Sequence, residues 1–213
     1  MEQLINKTIE FVKQFFKNEY SGHDYFHTLR VYNTAIEIAN EEQANLKIVS
    51  LAALLHDVDD VKLSPNTSLN KDNARNFLKE NNLDNNEINL ICSIIDEVSY
   101  KGTDTVKPSS LEGCIVQDAD RLDALGAIGI ARAFAYGGHH NRIMYDPEIL
   151  PKLNMTESEY RNHISTTVNH FYEKLFNLKK LMNTKKAIEI ADEREKFMKD
   201  FISRFINEWA GNL

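Results

Sequence analysis

The chain has 213 residues, 42% hydrophobic and 27% charged, with only 4 Pro and 8 Gly, which suits one well-buried domain and excludes a linker-rich or low-complexity architecture. A net charge of −7 excludes a general nucleic-acid or anionic-membrane binder, since no basic excess exists to displace counterions, while leaving room for small anionic substrates held by a local positive site. Two cysteines, Cys92 and Cys114, are too few for a disulfide framework and offer no Cys-x-x-Cys to a zinc ion, so both are expected to be reduced and partly buried.

The N-terminal stretch "MEQLINKTIEFVKQFF" sets Leu4, Ile5, Ile9, Val12, Phe15 and Phe16 at three- and four-residue steps, the pattern of an amphipathic helix. Its interspersed charges deny it the apolar core of a signal peptide, and no run approaches the ~20 apolar residues of a membrane span, so the expected compartment is the cytoplasm. In "SGHD", Ser21 is placed to cap a second helix with Asp24 three positions on, and Phe26, Leu29, Ile36 and Ala39 are expected to face inward.

A third helix is expected from about Asn45 to His56, then a loop around Pro65, then helices near Asn70–Glu80 and Asn86–Val98. After a break at Lys101, Gly102 and Pro108, "SLEGCIVQDADRLDALGAIGIARAFAYGG" predicts a helix pair, or one long helix, stopped by Gly137 and Gly138. A polar segment with Pro147 and Pro151 follows, either a lid or a plain connector. Two or three C-terminal helices are expected over roughly 157–183 and 184–209, with Phe197, Phe201, Phe205 and Trp209 at four-residue steps as core rather than dimer interface. No strand-like alternation and no internal repeat is found. The prediction is one all-α domain over 1–213.

The chemistry concentrates in three places. "LAALLHDVDD" ends an apolar helix in His56, Asp57, Asp59 and Asp60, at the helix end where the macrodipole favours cations rather than acids. "GHDYFHTLR" offers His23 and His27 at i, i+4, with Arg30 three further on. "QDADRLDALGA" holds Asp118, Asp120 and Asp123 in apolar company. Imidazoles with carboxylates suit a divalent first-row ion or magnesium, and buried carboxylates need a partner. Taken singly, each has a plainer explanation: a hydrogen-bonded histidine, a solvated acidic face, or a local pairing of Arg121 with Asp118.

The order His27, His56-Asp57, Asp120, within "GHDYFHTLRVYNTAIEIA", "LAALLHDVDDVK" and "SLEGCIVQDADRLDALGAIGIARAFAYGG", resembles the H…HD…D signature of the HD-domain superfamily of metal-dependent phosphohydrolases. It is similar in particular to a bacterial subgroup that includes nucleoside triphosphate pyrophosphohydrolases. The resemblance implies a helical HD core over about 20–136 with a C-terminal extension over about 156–210. It implies His27, His56, Asp57 and Asp120 as metal ligands, Asp123 as a supporting residue behind them, and Asp60 as the group that handles the proton of the attacking water. One divalent ion is implied, manganese first, with magnesium, cobalt, nickel or iron as alternatives.

The substrate implied is a small nucleotide, hydrolysed to monophosphate and pyrophosphate; a phosphomonoesterase or a non-catalytic metal–nucleotide module are the alternatives. His23, Arg30, Lys62 and Lys101 are expected to bind substrate, with Arg121 and Arg132 as further basic residues nearby. The chain departs from two relatives. Val61 stands where guanosine tetraphosphate hydrolases carry the last residue of H-D-x-x-E-D, and no Gly-Tyr-Pro of the HD-GYP phosphodiesterases occurs. The oligomeric state is left open, with a homodimer among the possibilities.

Overall fold

The computed structural model of the chain describes residues 1–19, 24–98, 106–153, 163 and 165–212. The described residues contain helices and turns and no strand. They fall into two compact units, Met1–Tyr100 with Thr105–Asp120, and Lys101–Asp104 with Arg121–Leu213.

The first unit is built on α1 (Glu2–Phe15), α2 (Tyr25–Glu41), α3 (Leu46–Leu55), α4 (Asp72–Glu80), α5 (Asn85–Val98) and α6 (Leu111–Asp123) as far as Asp120. The centre is α3, whose sequence "LKIVSLAALL" is apolar nearly all round and buried at every position from Ile48 to Leu55. A helix without a polar face must be enclosed, and α1, α2 and α5 pack around it. Asn45 starts it by accepting hydrogen bonds from the N–H of Lys47 at 3.1 Å and of Ile48 at 3.3 Å. Each fully buried Leu or Ile here contributes about 1.5–3 kcal/mol.

Two expectations for α2 change. Asp24 is itself the N-cap, accepting from the His27 N–H at 2.7 Å, so the helix begins beyond the position a Ser21 cap implied; Ser21 lies outside the described residues. The buried face is His27, Thr28, Val31, Ala35, Ile38 and Ala39, while Phe26 is 66% exposed. A polar His27 occupies the first place on the inward stripe, and the apolar Phe26 beside it is thereby turned outward, a phase that hydrophobicity alone does not reveal.

The second unit holds the last turn of α6, then α7 (Gly126–His139), a run of short turns from Thr167 to Leu181 and α8 (Lys185–Trp209). The helix pair is real, and its break lies at Gly126, whose φ of +71° glycine adopts without strain. The expected stop at Gly137 and Gly138 does not occur, since α7 continues through both. Gly137 serves packing instead: a Cβ there would lie 2.3 Å from Thr167 Oγ1. The C-terminal carbonyls of α6 draw cations, with Arg194 donating to Leu122 O at 2.6 Å and Arg132 to Asp123 O at 3.4 Å.

The segment after α7 is fastened down. Thr167 N donates to Ile143 O, Val168 N to Met144 O, Asn169 Nδ2 to Ile149 O and Lys152 N to Glu173 Oε1, at 2.7–3.1 Å. That is the behaviour of a connector rather than of a lid. The aromatic stripe of α8 is not the core expected: Phe201 and Phe205 are half-buried, meeting Phe134 at ring separations of 6.1 and 5.7 Å, Phe197 and Trp209 are about half exposed, and the buried face is Ala187, Ala191, Glu195, Met198 and Ile202. Cys92 and Cys114 are free and buried as expected. No described helix is long and apolar enough to cross a membrane.

Candidate metal centre

Three elements of the first unit aim side chains at one point. His27 sits in the first turn of α2, its backbone held by the Asp24 cap. His56 is the C-cap of α3, and Asp57 opens the turn that follows. Asp120 comes from α6. His27 Nε2 lies 3.4 Å from both Asp57 Oδ2 and Asp120 Oδ1. His56 Nε2 lies 3.2 Å from Asp57 Oδ2 and 3.9 Å from Asp120 Oδ1. The two imidazoles cross edge to face with centroids 5.4 Å apart. The side chains of His27, His56 and Asp57 are 1%, 3% and 8% exposed and that of Asp120 is 27% exposed, so the cluster opens to solvent on the Asp120 side.

His56 Nδ1 lies 2.8 Å from Ala53 O, and a carbonyl only accepts, so Nδ1 carries the proton. Nε2 is then a buried lone pair without a hydrogen bond among the described residues, facing carboxylate oxygens that have only lone pairs to return. Such a group of acceptors needs positive charge among them. Burial opposes an imidazolium at His56, but the charge of Asp57, the hydrogen bond that an added Nε2 proton would make to it and the charge of Asp120 outweigh burial, against a smaller opposing effect of His27, and the pKa is raised. Burial likewise opposes ionisation of Asp120, yet His27 and His56 outweigh it and hold its pKa down. A divalent cation answers all four groups at once. Ligand atoms about 2.1 Å from one ion sit roughly 3.0–3.4 Å apart, close to the spacings found. His27, His56 and Asp57 each offer a ligand atom within 4.8 Å of the others.

The other expected residues are placed as follows. Asp60 ends the turn, its Oδ1 accepting the Lys62 N–H at 2.8 Å. Lys62 is exposed, and Arg30 is half-buried on α2 three residues after His27. Asp123 is buried in the second unit and paired with Arg132 Nη1. Arg121 Nη1 donates to Leu181 O. His23 and Lys101 lie outside the described residues. The remaining acid of "LAALLHDVDD", Asp59, goes elsewhere: its carboxylate accepts the backbone N–H of Asn73 at 3.2 Å and of Ala74 at 3.0 Å, capping α4 from a distance. Nothing near Asp59 in the sequence announces this, since its partner lies fourteen residues on.

The HD domain family matches residues 24–125, a span that contains all four clustered residues. The chain is 37% identical over 202 residues to the protein YpgQ of Bacillus subtilis, covering 94% of this chain and 91% of YpgQ. An HD-superfamily hydrolase from Bacillus thuringiensis superposes with a TM-score of 0.80 at 42% identity, over 98% of both chains. The chain belongs to the HD-domain superfamily of metal-dependent phosphohydrolases.

A Lactobacillus plantarum protein of known structure is also similar to this HD-domain chain, with a TM-score of 0.83 and 39% identity over 99% of both chains. YpgQ has been crystallised in complex with ADP; that structure superposes on this HD-domain hydrolase with a TM-score of 0.75 over 96% of both chains.

Proposed function

We propose that this HD-domain hydrolase acts on nucleotides, cleaving (deoxy)nucleoside triphosphates to the monophosphate and pyrophosphate with one divalent ion, manganese first among candidates. The observation that carries the reading is the mutual approach of His27 Nε2, His56 Nε2, Asp57 Oδ2 and Asp120 Oδ1 at 3.2–3.9 Å, with a buried lone pair on His56. The ADP complex of YpgQ supports a nucleotide as the ligand class.

His27, His56, Asp57 and Asp120 hold the ion, which supplies Lewis acidity toward a phosphoryl oxygen and acidifies water. The more exposed Asp120 marks the side from which substrate and water arrive. Asp60 takes the proton of the attacking water. Its Oδ1 is steadied by Lys62 N–H, and Oδ2 has no hydrogen-bond partner among the described residues, so one oxygen orients the carboxylate and the other is left for the proton. The water oxygen bonds to the α-phosphorus, the bond from that phosphorus to the bridging oxygen breaks, and pyrophosphate leaves. Arg30 and Lys62, with His23 and Lys101, neutralise the phosphate charge, and Asp123 with Arg132 supports the end of α6.

Incubating the purified protein with Mn2+ and a panel of nucleotides tests this. Pyrophosphate with nucleoside monophosphate is expected. Orthophosphate would make it a phosphomonoesterase, and a tightly bound, intact nucleotide would make it a binding module.

A further inference from the structure

We propose that Asp59 and Asn73 are positioning residues for the metal centre, locking the Val58–Asp59 stretch onto the first turn of α4 and so aiming Asp57 and Asp60. The inference rests on the metal centre proposed above. The ligand-bearing turn, residues 56 to 60, follows the last helical residue of α3 and has no helix of its own to fix its dihedrals. A ligand carboxylate nevertheless must be held to roughly half an ångström.

The turn is held by the residues that carry no chemistry. Asp59 is 2% exposed, and a buried carboxylate demands donors. It finds two in the N–H groups of Asn73 and Ala74, where the positive end of the nine-residue helix α4 also favours an anion. Asn73 completes the clasp: its Nδ2 donates to Val58 O at 2.9 Å and to Thr67 Oγ1 at 3.0 Å. Val58 is itself fully buried. Val58 and Asp59 are committed to α4, which fixes the backbone from which Asp57 on one side and Asp60 on the other direct their carboxylates. The Nδ1 bond of His56 to Ala53 O pins the remaining member.

A cap that merely stabilised α4 would change melting temperature and leave metal affinity alone. Mn2+ dissociation constants, read from the EPR signal of the free ion at a temperature where circular dichroism shows every variant folded, separate the two roles. Asp59→Asn is expected to weaken Mn2+ binding about tenfold, the usual size of an outer-shell effect. Asp84→Asn removes the same charge from the cap of α5, where Asp84 Oδ1 accepts from Asn86 and Glu87 N–H, and is expected to bind Mn2+ within about twofold of wild type. Unchanged affinity in Asp59→Asn, or equal weakening in Asp84→Asn, would overturn the positioning role. Should Asp59→Asn not fold, Asn73→Ala removes the Val58 and Thr67 bonds alone and should weaken binding severalfold; wild-type affinity there overturns the proposal too. Failure of the wild type itself to bind Mn2+, or binding undiminished by His56→Ala, would instead remove the metal centre and the positioning role with it.

Discussion

Both units bury titratable groups, and the contrast lies in what meets them. In the second unit, Glu173 is 2% exposed at its side chain and is met by donors: Ser165 Oγ at 2.9 and 2.8 Å from its two oxygens and Lys152 N–H at 3.1 Å. His170 is half-buried there and driven neutral: desolvation first, then the charges of Lys174 and Arg142, lower its pKa to about 3. In the first unit, two imidazoles and two carboxylates face one another instead. Burial of a polar group is therefore not what marks function; convergence of acceptors on a point that only a cation can satisfy is.

The sharpest way to break that contrast is to remove one convergent group. His56→Ala is expected to abolish Mn2+ binding and lower nucleotide hydrolysis at least about a thousandfold, the order of a lost Lewis acid. Metal titration and pyrophosphate release measure it; retained activity would place the chemistry elsewhere. Asp60→Asn sharpens the same comparison from the edge of the cluster. It should lower kcat by about 10²–10⁴-fold while Mn2+ affinity stays within a few-fold of wild type. Loss of both together would make Asp60 a ligand rather than a base.

Much of this was legible in the sequence for identifiable reasons. Helices with strong apolar periodicity, such as α1 and α5, emerge near their expected bounds because burial and local pattern agree. The four clustered residues are legible through the resemblance of their order, His27, His56-Asp57, Asp120, to the HD-domain signature. What escaped was set by contacts between distant residues. Gly137 and Gly138 look like a helix stop, and α7 runs through them because Thr167 Oγ1 lies against the bare backbone of Gly137. Asp59 looks like one more acid of the cluster, and its role depends on α4 fourteen residues away. The phase of α2 differs from its hydrophobic pattern because a histidine, not an apolar residue, opens its buried stripe.

The second unit has its own test in pH. His170 titrates at about 6.5 when unfolded and about 3 when folded, so between those values the unfolded chain binds a proton that the folded chain refuses. The stabilisation is complete above pH 6.5 and is lost as pH falls toward 3. At pH 5 this amounts to roughly 2 kcal/mol. His170→Gln should shrink the difference in unfolding free energy between pH 7 and pH 5 by about that much in urea titrations. An unchanged difference would mean that His170 is solvated and keeps an ordinary imidazole in the folded chain. Gly137→Ala follows in size. Its Cβ would meet Thr167 Oγ1 at 2.3 Å, and overpacking of this kind costs about 1–3 kcal/mol, read as a lower melting temperature.

The smallest expected effect probes an exception within the second unit. Thr167 Oγ1 is buried and makes no hydrogen bond among the described residues, although the backbone N–H of the same residue donates to Ile143 O at 3.0 Å. If the second unit satisfies its buried polar groups for stability alone, an orphaned hydroxyl there is a cost with no return. Thr167→Val exchanges it for a methyl group of similar shape and keeps the backbone bond. The variant is expected to gain up to about 1 kcal/mol in stability, the lower end of the penalty for an unsatisfied buried polar atom, with hydrolysis unchanged. A loss of stability would show that the hydroxyl has a partner in the folded protein. A loss of hydrolysis at unchanged stability would instead mean that the second unit, too, keeps a polar group for the reaction rather than for the fold.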